Sequence, residues 1–551
     1  MEGRDQPQGL QLIPVLSGRG FGLDLCHGLP LIMRLQHNAD GELFGMAEYA
    51  PQTLDDILHR IDVVVVQNHF EKPFKGGRGF RRNRGQCFGH IHGDECAISC
   101  RARPGGRNGI CWRRLGFSPY NPTMETADIA IVGAGAAGVF AAATIAECDR
   151  ALRVRVLEKG SAPLEKVGRS GGGRCNLTHE PGDLRAFAQH YPRGSQEMLG
   201  ALYRFGPSET LAWFESRGIS LQIEPDGRVF PRSGNARDVV AALLMEAKRG
   251  NIEMCYGAAV VEVSPQRAGF EVRTAHGDRI STPQVLIATG GGAFPAGLDH
   301  TLEPGVPSLF PLRLAESGWA ALAGTSVVRA RVSAAGVSAT GPLLITHEGV
   351  SGPGVLDLTG LGARRMAELE YRFDMTVDWL PEAAPEETLE ALSALRRTAP
   401  GRAAGAATVF GLPLRLWRWL LARAGIPGER RWSQWSSSEY RALAAQLRAT
   451  TLPVSGRAAH RGEFVTCGGV RRREVDFRTM QSRRHAGLFL AGETLDVDGL
   501  TGGYNLQAAW TTGRIAAQTI AQRPIKAPDD KRGSHTPILA KPAGGGDSTR
   551  G

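Results

Sequence analysis

Between Asp128 and Glu158 the chain reads strand, glycine turn, helix, strand, and few folds accept that order with these residues. Asp128-Ile129-Ala130-Ile131-Val132 is a short apolar run of the kind buried in a parallel sheet. Gly133-Ala134-Gly135-Ala136-Ala137-Gly138 follows, then an Ala-rich helix from about Ala136 to Glu147. A second strand, Arg153 to Leu157, ends on Glu158. This is G-x-G-x-x-G after a strand and at the mouth of a helix, the arrangement that binds dinucleotides. Gly133 permits the tight turn. Gly135 lets backbone approach a pyrophosphate with no Cβ between them, and Gly138 lets helix and strand close on each other. Ala136 and Ala137 open the helix, where unpaired N–H groups and the positive dipole end favour an anion. Glu158 stands 20 residues after Gly138. A carboxylate there accepts from both ribose hydroxyls and repels a 2′-phosphate, which argues against NADP at this site.

Three later stretches have the same character. Lys159 follows the acid directly, and Lys166-Val167-Gly168-Arg169-Ser170-Gly171-Gly172-Gly173-Arg174-Cys175-Asn176 is a Gly-rich loop among basic groups. Its N–H groups can line an anion, with Arg169 and Arg174 adding charge. Cys175 has no C-x-x-C partner, so a packed thiol is the plainer reading and a redox partner the sharper one. Gln284-Val285-Leu286-Ile287, the last strand of what reads as a meander over 252–287, runs into Ala288-Thr289-Gly290-Gly291-Gly292. Gly487-Leu488-Phe489-Leu490-Ala491-Gly492-Glu493 is a buried strand ending at an acid. After it, Asp496–Asn505 forms a second glycine loop, and an Ala-rich helix spans Leu506 to Gln522.

The remaining chain is less legible. Residues 308–380 read as strands with Gly/Pro turns, and 385–449 as helices. The helix near Leu414–Ala424 carries Leu414, Trp417, Leu420, Leu421 and Ala424 on one face. From 410 to 450 there are seven Arg, interleaved with Trp417, Trp419, Trp432 and Trp435. Two readings stand: an RNA or anionic-substrate surface, or a helical cap with Trp in its core and a solvated Arg face. Residues 1–123 lack periodicity apart from a strand at 61–66, and they read as a non-native or disordered extension before a natural start at Met124. Within them, Cys87, His90, His92, Cys96 and Cys100 match no zinc module, and no metal site is expected. The nine cysteines are too scattered for a disulfide framework. The absence of a long apolar run or a basic-then-apolar leader points to a cytoplasmic protein with no membrane contact. Beyond about Pro524 the composition is that of a disordered tail. The oligomeric state is not legible.

Four motifs in order carry a family resemblance: the fingerprint with Glu158, S-G-G-G-R-C-N at 170–176, A-T-G-G at 288–291, and A-G-E-T-L-D-V-D-G-L-T-G-G-Y-N at 491–505. G-R-V-F-P at 227–231, T-H-x-G-x-S-G-P at 346–353 and T-C-G-G-V at 466–470 support them. The stretch 128–522 resembles the BaiN/RdsA family of NAD(P)/FAD-dependent oxidoreductases, also described as aminoacetone-oxidase-like. The resemblance implies an α/β fold, with a doubly wound, three-layer Rossmann-like FAD-binding domain in two parts, 124–307 and 456–523. A β-rich and helical domain, 308–455, is inserted between them. It implies FAD, with Gly133, Gly135, Gly138 and Glu158 on the ADP half and Arg174 and Asn176 along the cofactor. Glu493 with Gly492 would hold the ribityl–pyrophosphate region, and Ala288, Thr289 and Gly290 would pass beneath it. Gly503, Tyr504 and Asn505 would approach the isoalloxazine through their backbone. It also implies hydride transfer on a small molecule or, as the alternative, reduction of uridine to dihydrouridine in ribosomal RNA. With no second G-x-G-x-x-G, either NAD(P)H visits the flavin transiently or another donor reduces it. No catalytic base stands out; His347, Glu348 and Cys175 are the candidates. Ala293–Asp299 departs from the family's usual Gly-Ser-x-Gly loop.

Overall fold

The structure is a computed structural model describing residues 124–522 apart from 293, 407 and 459–464, together with the backbone of five earlier strands. Two compact units divide at Asn121 and Pro122. In the first, Leu31–His37 pairs antiparallel with Leu43–Tyr49, and Val63–Val65, Gln86–His92 and Glu95–Arg101 form a three-stranded antiparallel sheet. The expected strand at 61–66 is thus Val63–Val65. The side chains of the Cys/His group at 87–100 and the tail from 524 lie outside the described residues.

The second unit is built on a seven-stranded sheet. Its spatial order is Ile252–Cys255, Val154–Leu157, Ile129–Val132, Gln284–Ile287, Leu488–Leu490, Gln481–Ser482 and Val475–Asp476. The first five run parallel, Gln481–Ser482 runs against them, and Val475–Asp476 pairs antiparallel with Gln481–Ser482. Ile129–Val132 and Gln284–Ile287 are buried throughout, as central parallel strands covered on both faces must be. Successive side chains alternate between the faces. Ile129 and Ile131 pack on the helices Ala136–Cys148, Ala236–Ala247 and Tyr504–Ala521. Ala130 and Val132 pack on an antiparallel meander, Val260–Gln266, Gly269–Thr274 and Arg279–Thr282, which Met124–Thr126 joins at its edge. The third layer is therefore a sheet. The expected meander over 252–287 resolves into two parts, because Ile252–Cys255 pairs parallel with Val154–Leu157 and belongs to the main sheet.

The Ala-rich composition of the first helix follows from its packing. A Cβ on Gly513 of the last helix would lie 2.6 Å from the Ala137 carbonyl oxygen, so the two backbones nearly touch. Below that contact Phe140 meets Trp510 (5.3 Å between centroids), Trp213 (4.6 Å) and Phe205 (5.6 Å). Burying each such side chain contributes about 1.5–3 kcal/mol.

The inserted part has its own core. Six strands close a barrel in the order Leu312–Leu314, Gly349–Ser351, Val337–Ile345, Ser326–Ala334, Phe373–Asp378 and Thr450–Arg457. Helices Pro385–Thr398, Leu414–Arg423 and Ser437–Arg448 share that core through Trp417, Trp432, Trp435 and Leu443. Two helices not expected within 308–380, Pro353–Leu361 and Ala363–Glu368, pack the barrel toward the cofactor-domain loops. Among the described residues no helix is long and apolar enough to cross a membrane.

Candidate functional site

Four adjacent parallel strands deliver their C-terminal ends to one edge of the sheet. Val132 leads to Gly133, Leu157 to Glu158, Ile287 to Ala288, and Leu490 to Ala491-Gly492-Glu493. The ends are bonded in sequence: Gly133 N–H to Leu157 O (2.8 Å), Ala288 N–H to Val132 O (2.8 Å), and Ala491 N–H to Ile287 O (3.0 Å). In open α/β sheets the crevice outside such ends is where ligands bind. Gly133 has φ +105°, and a Cβ there would lie 2.4 Å from Ala288 O. On Gly138 it would lie 2.0 Å from Gly133 O, whereas on Gly135 it would meet nothing within 4 Å. The first two are needed for packing, and the third presents bare backbone at the helix mouth. Glu158 reaches back over the turn, accepting from Ala134 N–H and Gly160 N–H, each at 2.8 Å. Glu493 Oε2 lies 3.0 Å from Lys166 Nζ, and Gly290 faces the same carboxylate.

The two specific motifs, 300-odd residues apart in sequence, are zipped together. Gly503 has φ +97°, and a Cβ would lie 2.5 Å from the Thr178 carbonyl. Thr178 Oγ1 donates to Gln507 Oε1 (2.6 Å), and Trp510 Nε1–H donates to Leu177 O (3.0 Å). The Asn176 amide, turned to satisfy its neighbours, donates to Thr178 O (2.9 Å) and Val229 O (3.2 Å) and accepts from Gly503 N–H (3.1 Å). Its side chain therefore holds the loop instead of lying free along a ligand. Arg174 is likewise engaged, with NH1 2.7 Å from Glu224 and its guanidinium 3.9 Å over the Phe230 ring. The expected Gly-rich loop opens with a helical segment from Glu165, and at Ser170, Gly171 and Gly172 the backbone leaves helical geometry, with Gly171 and Gly172 at φ +58° and +68°. Asn505 closes its own turn, bonding Gly499 N–H and O at 2.8 Å each. The Tyr504 ring stacks on His190 (4.4 Å) and His179 (5.1 Å). Arg169 and Lys159 are exposed beside the turn.

Cys175 is fully buried, with φ +62°, and burial pushes its thiol up to about 12. A thiol held protonated is a packed residue and not a nucleophile. His347 and Glu348 sit at the tip of the barrel hairpin, both exposed; Glu348 O accepts from Leu314 N–H (2.9 Å). The insert meets the cofactor-domain loops one element later. On helix Pro353–Leu361, Asp357 accepts from Thr501 N–H (2.8 Å), and Gly360 O accepts from Arg193 (2.9 Å). No described cation pairs with Asp357, and burial raises its carboxyl to about 6. Its sequence signal is a single acid in an otherwise apolar helix, P-G-V-L-D-L-T-G-L. Arg193 also forks onto Asp498, which is wholly buried and accepts from Ser308 Oγ (3.0 Å). Asp496 takes Arg364 and Arg472 at 2.7 Å each. Arg364, Asp357 and Ser308 fasten the insert to the loop over 496–501, while Arg193 and Arg472 hold that loop from the cofactor domain, and none of these contacts was legible in the sequence.

Three of the four tryptophans of the Arg/Trp stretch belong to the core of the insert, while Trp419 is partly buried beneath the Arg423 guanidinium. Trp417 is fully buried, and Trp432 and Trp435 are nearly so. Arg415 bonds the Ala321 and Ala323 carbonyls, Arg418 the Gly405 carbonyl, Arg423 Glu316, and Arg430 Glu439. Trp417, Trp432 and Trp435 supply core and these arginines tie loops down, as the helical-cap reading expects. A groove of about 690 Å³ in this helical part, between Ala403 and Glu429, lies among loops unrelated to the sheet edge.

Residues 127–519 match the HI0933-like protein Rossmann domain. The chain belongs to the HI0933-like family. This is the BaiN/RdsA family, and the protein is an FAD-dependent oxidoreductase. Among HI0933-like relatives, the 3-dehydro-bile acid delta(4,6)-reductase of Clostridium scindens is 32% identical over 412 residues, covering 72% of this chain and 99% of that one. The ribosomal RNA dihydrouridine synthase of Escherichia coli is 30% identical over 415 residues, covering 72% and 98%. Of solved structures, a 3-ketosteroid-delta4-(5alpha)-dehydrogenase of Rhodococcus jostii is 15% identical, with a TM-score of 0.38, covering 72% and 97%.

The residues present fit FAD. Gly135 leaves backbone open to a pyrophosphate, Glu158 stands at the adjoining strand end, and a second glycine-led helix starts at Gly503.

Proposed function

We propose that this flavoenzyme reduces a carbon–carbon double bond conjugated to a carbonyl in a small apolar molecule, with Asp357 as proton donor. The observation that carries the reading is Asp357 itself: a half-buried carboxyl without a cation, on the insert helix that lies against the D-V-D-G-L-T-G-G-Y-N loop. Such a reduction adds a hydride and a proton across the bond. FAD, when bound, supplies hydride chemistry; Gly133, Gly135, Gly138, Glu158, Glu493 and the backbone at Gly503–Asn505 would hold it. The chain's own part is the proton. A carboxyl whose pKa is brought toward neutrality serves as a general acid at pH 7. Asp357 is oriented by Thr501 N–H, which leaves its second oxygen for a substrate. Asp498 and Arg193 fix the two elements that meet there.

Both kinds of relative act in keeping with this chemistry, since a uracil double bond is also conjugated to a carbonyl. A small molecule is favoured because Trp417, Trp432 and Trp435 are buried in the core of the insert and offer bases no row of aromatic faces. The test is anaerobic. The protein is reduced with NADPH, NADH or dithionite, then mixed with a 3-oxo-Δ4,6 bile acid or, separately, with unmodified ribosomal RNA. Flavin reoxidation with a product two mass units heavier is expected with the enone. Reoxidation by RNA alone, with dihydrouridine formed, would replace this reading with the RNA one.

A further inference from the structure

We propose that the insert carries a binding site for the phosphate group of a small phosphate monoester, in the groove between helices Pro385–Thr398 and Ser437–Arg448. The two helices pack against each other. Each brings three residues at i, i+3 and i+4 to a groove of about 370 Å³: Ser393, Arg396 and Arg397 from one, Ser437, Tyr440 and Arg441 from the other. Three guanidiniums thus converge on one space, and among the described residues no carboxylate lines it.

Elsewhere in the insert arginines are taken up by partners. Arg423 pairs with Glu316, Arg430 with Glu439 and Arg448 with Asp378. Arg396, Arg397 and Arg441 have neither a hydrogen bond nor an ion pair to any described residue. Glu439 stands two residues before Arg441 but is engaged elsewhere, accepting from Ser436 N–H (2.7 Å) at the helix start and holding Arg430. Like charges gathered in this way repel one another, and an anion between them turns the repulsion into attraction.

The lining also sets which anion fits. A guanidinium forks onto phosphate oxygens with two N–H groups at a time. Ser437 is the first residue of a 12-residue helix and brings its positive end to the groove beside Arg441. Ser393 is turned inward, its hydroxyl donating to Leu389 O (2.8 Å), and the buried Tyr440 donates its hydroxyl to Trp432 O (2.7 Å). With Leu389 they form a wall whose hydroxyl donors are already committed, against which the organic part of a monoester can lie. The volume stands at the lower end of the roughly 300–1,000 Å³ of small-molecule sites, more than inorganic phosphate alone fills. A nucleic-acid backbone needs cations continued along a track. Here Glu386, Glu387 and Glu390 occupy the first two turns of the helix that carries Arg396 and Arg397, so the positive charge is confined to the groove. The cofactor loops stand at the sheet edge and not in this helical part, so binding here does not depend on the reaction.

The experiment uses the full chain with FAD bound, in chloride buffer, titrated in a calorimeter with ribose 5-phosphate, with ribose and, separately, with a single-stranded RNA oligomer. Ribose 5-phosphate should bind at one site with a Kd of about 1 mM or tighter, and ribose should give no heat. The double variant Arg397→Gln with Arg441→Gln should weaken that binding at least tenfold, while Arg237→Gln, at an exposed arginine of the cofactor domain, should leave it unchanged. Glutamine keeps the apolar stem and removes the charge, so without ligand the double variant should melt no lower than wild type. A lower melting temperature shows arginines that serve the fold and overturns the site. Equal binding by wild type and the double variant, equal binding of ribose and its phosphate, or no binding of either also overturns it. RNA binding that the double variant loses, with none of ribose 5-phosphate, replaces it with a nucleic-acid surface.

Discussion

Replacing Asp357 by asparagine should make the protein more stable at neutral pH and less active. Folding raises this carboxyl from 3.8 to about 6, mainly by burial. The folded state therefore holds the Asp357 proton more tightly than the unfolded chain does. That contribution is fully present below about pH 4 and is lost as pH rises through about 6. A shift of roughly two units at 1.36 kcal/mol each makes the ionised side chain a liability of about 3 kcal/mol at pH 7.5, falling to about 1 kcal/mol at pH 4.5. Asparagine keeps the acceptor for Thr501 N–H (2.8 Å) and carries no charge. Urea unfolding of the FAD-loaded proteins at several pH values measures the gap. It should widen from about 1 to about 3 kcal/mol in favour of Asp357→Asn between pH 4.5 and 7.5. Enone reduction should fall by about 10²–10⁴-fold, while reduction of the flavin by its donor stays near wild type. A gap that is constant with pH, or a variant less stable at pH 7.5, refutes the argument.

Other perturbations follow from the same geometry. Glu158→Ala removes a charged acceptor worth about 1.5–3 kcal/mol, so FAD affinity should drop about 10- to 150-fold, read from the fluorescence of released flavin. Gly138→Ala places a methyl 2.0 Å from Gly133 O and should yield protein without flavin absorbance. Asp498→Ala leaves Arg193 buried without its partner, at a cost of about 3–5 kcal/mol; calorimetry should show a lower melting temperature. Cys175 should resist a thiol reagent in the native fold and react only on denaturation, and Cys175→Ser should keep flavin reduction.

The glycine turn and its partners were readable because they answer local demands. Gly133 and Gly138 have no room for a Cβ, Gly503 has a left-handed φ, and such needs leave a mark at one position. Trp417, Leu420 and Leu421 were readable by helical spacing. Asp357, Arg193 and Asp498 were not, since what defines them is a partner far away in sequence: 144 residues for Asp357 and Thr501, 305 for Arg193 and Asp498. The Arg/Trp stretch left two readings open for the same reason. Composition counts charges without saying that Glu316 and Glu439 neutralise Arg423 and Arg430.

The order of strands in the main sheet has a consequence for biosynthesis. Leu488–Leu490 completes the parallel ladder beside Gln284–Ile287, yet about 200 residues separate them. At about 5–20 residues per second, roughly 10–40 seconds pass on the ribosome before the partner emerges. During that interval Val285, Leu286 and Ile287 form an open, apolar edge, the kind of template on which neighbouring chains pair wrongly. The barrel, Leu312 to Arg457, emerges meanwhile and can close on its own core. Nascent chains halted between about 290 and 480 should thus be the stage most dependent on chaperones, and the nucleotide pocket is assembled last.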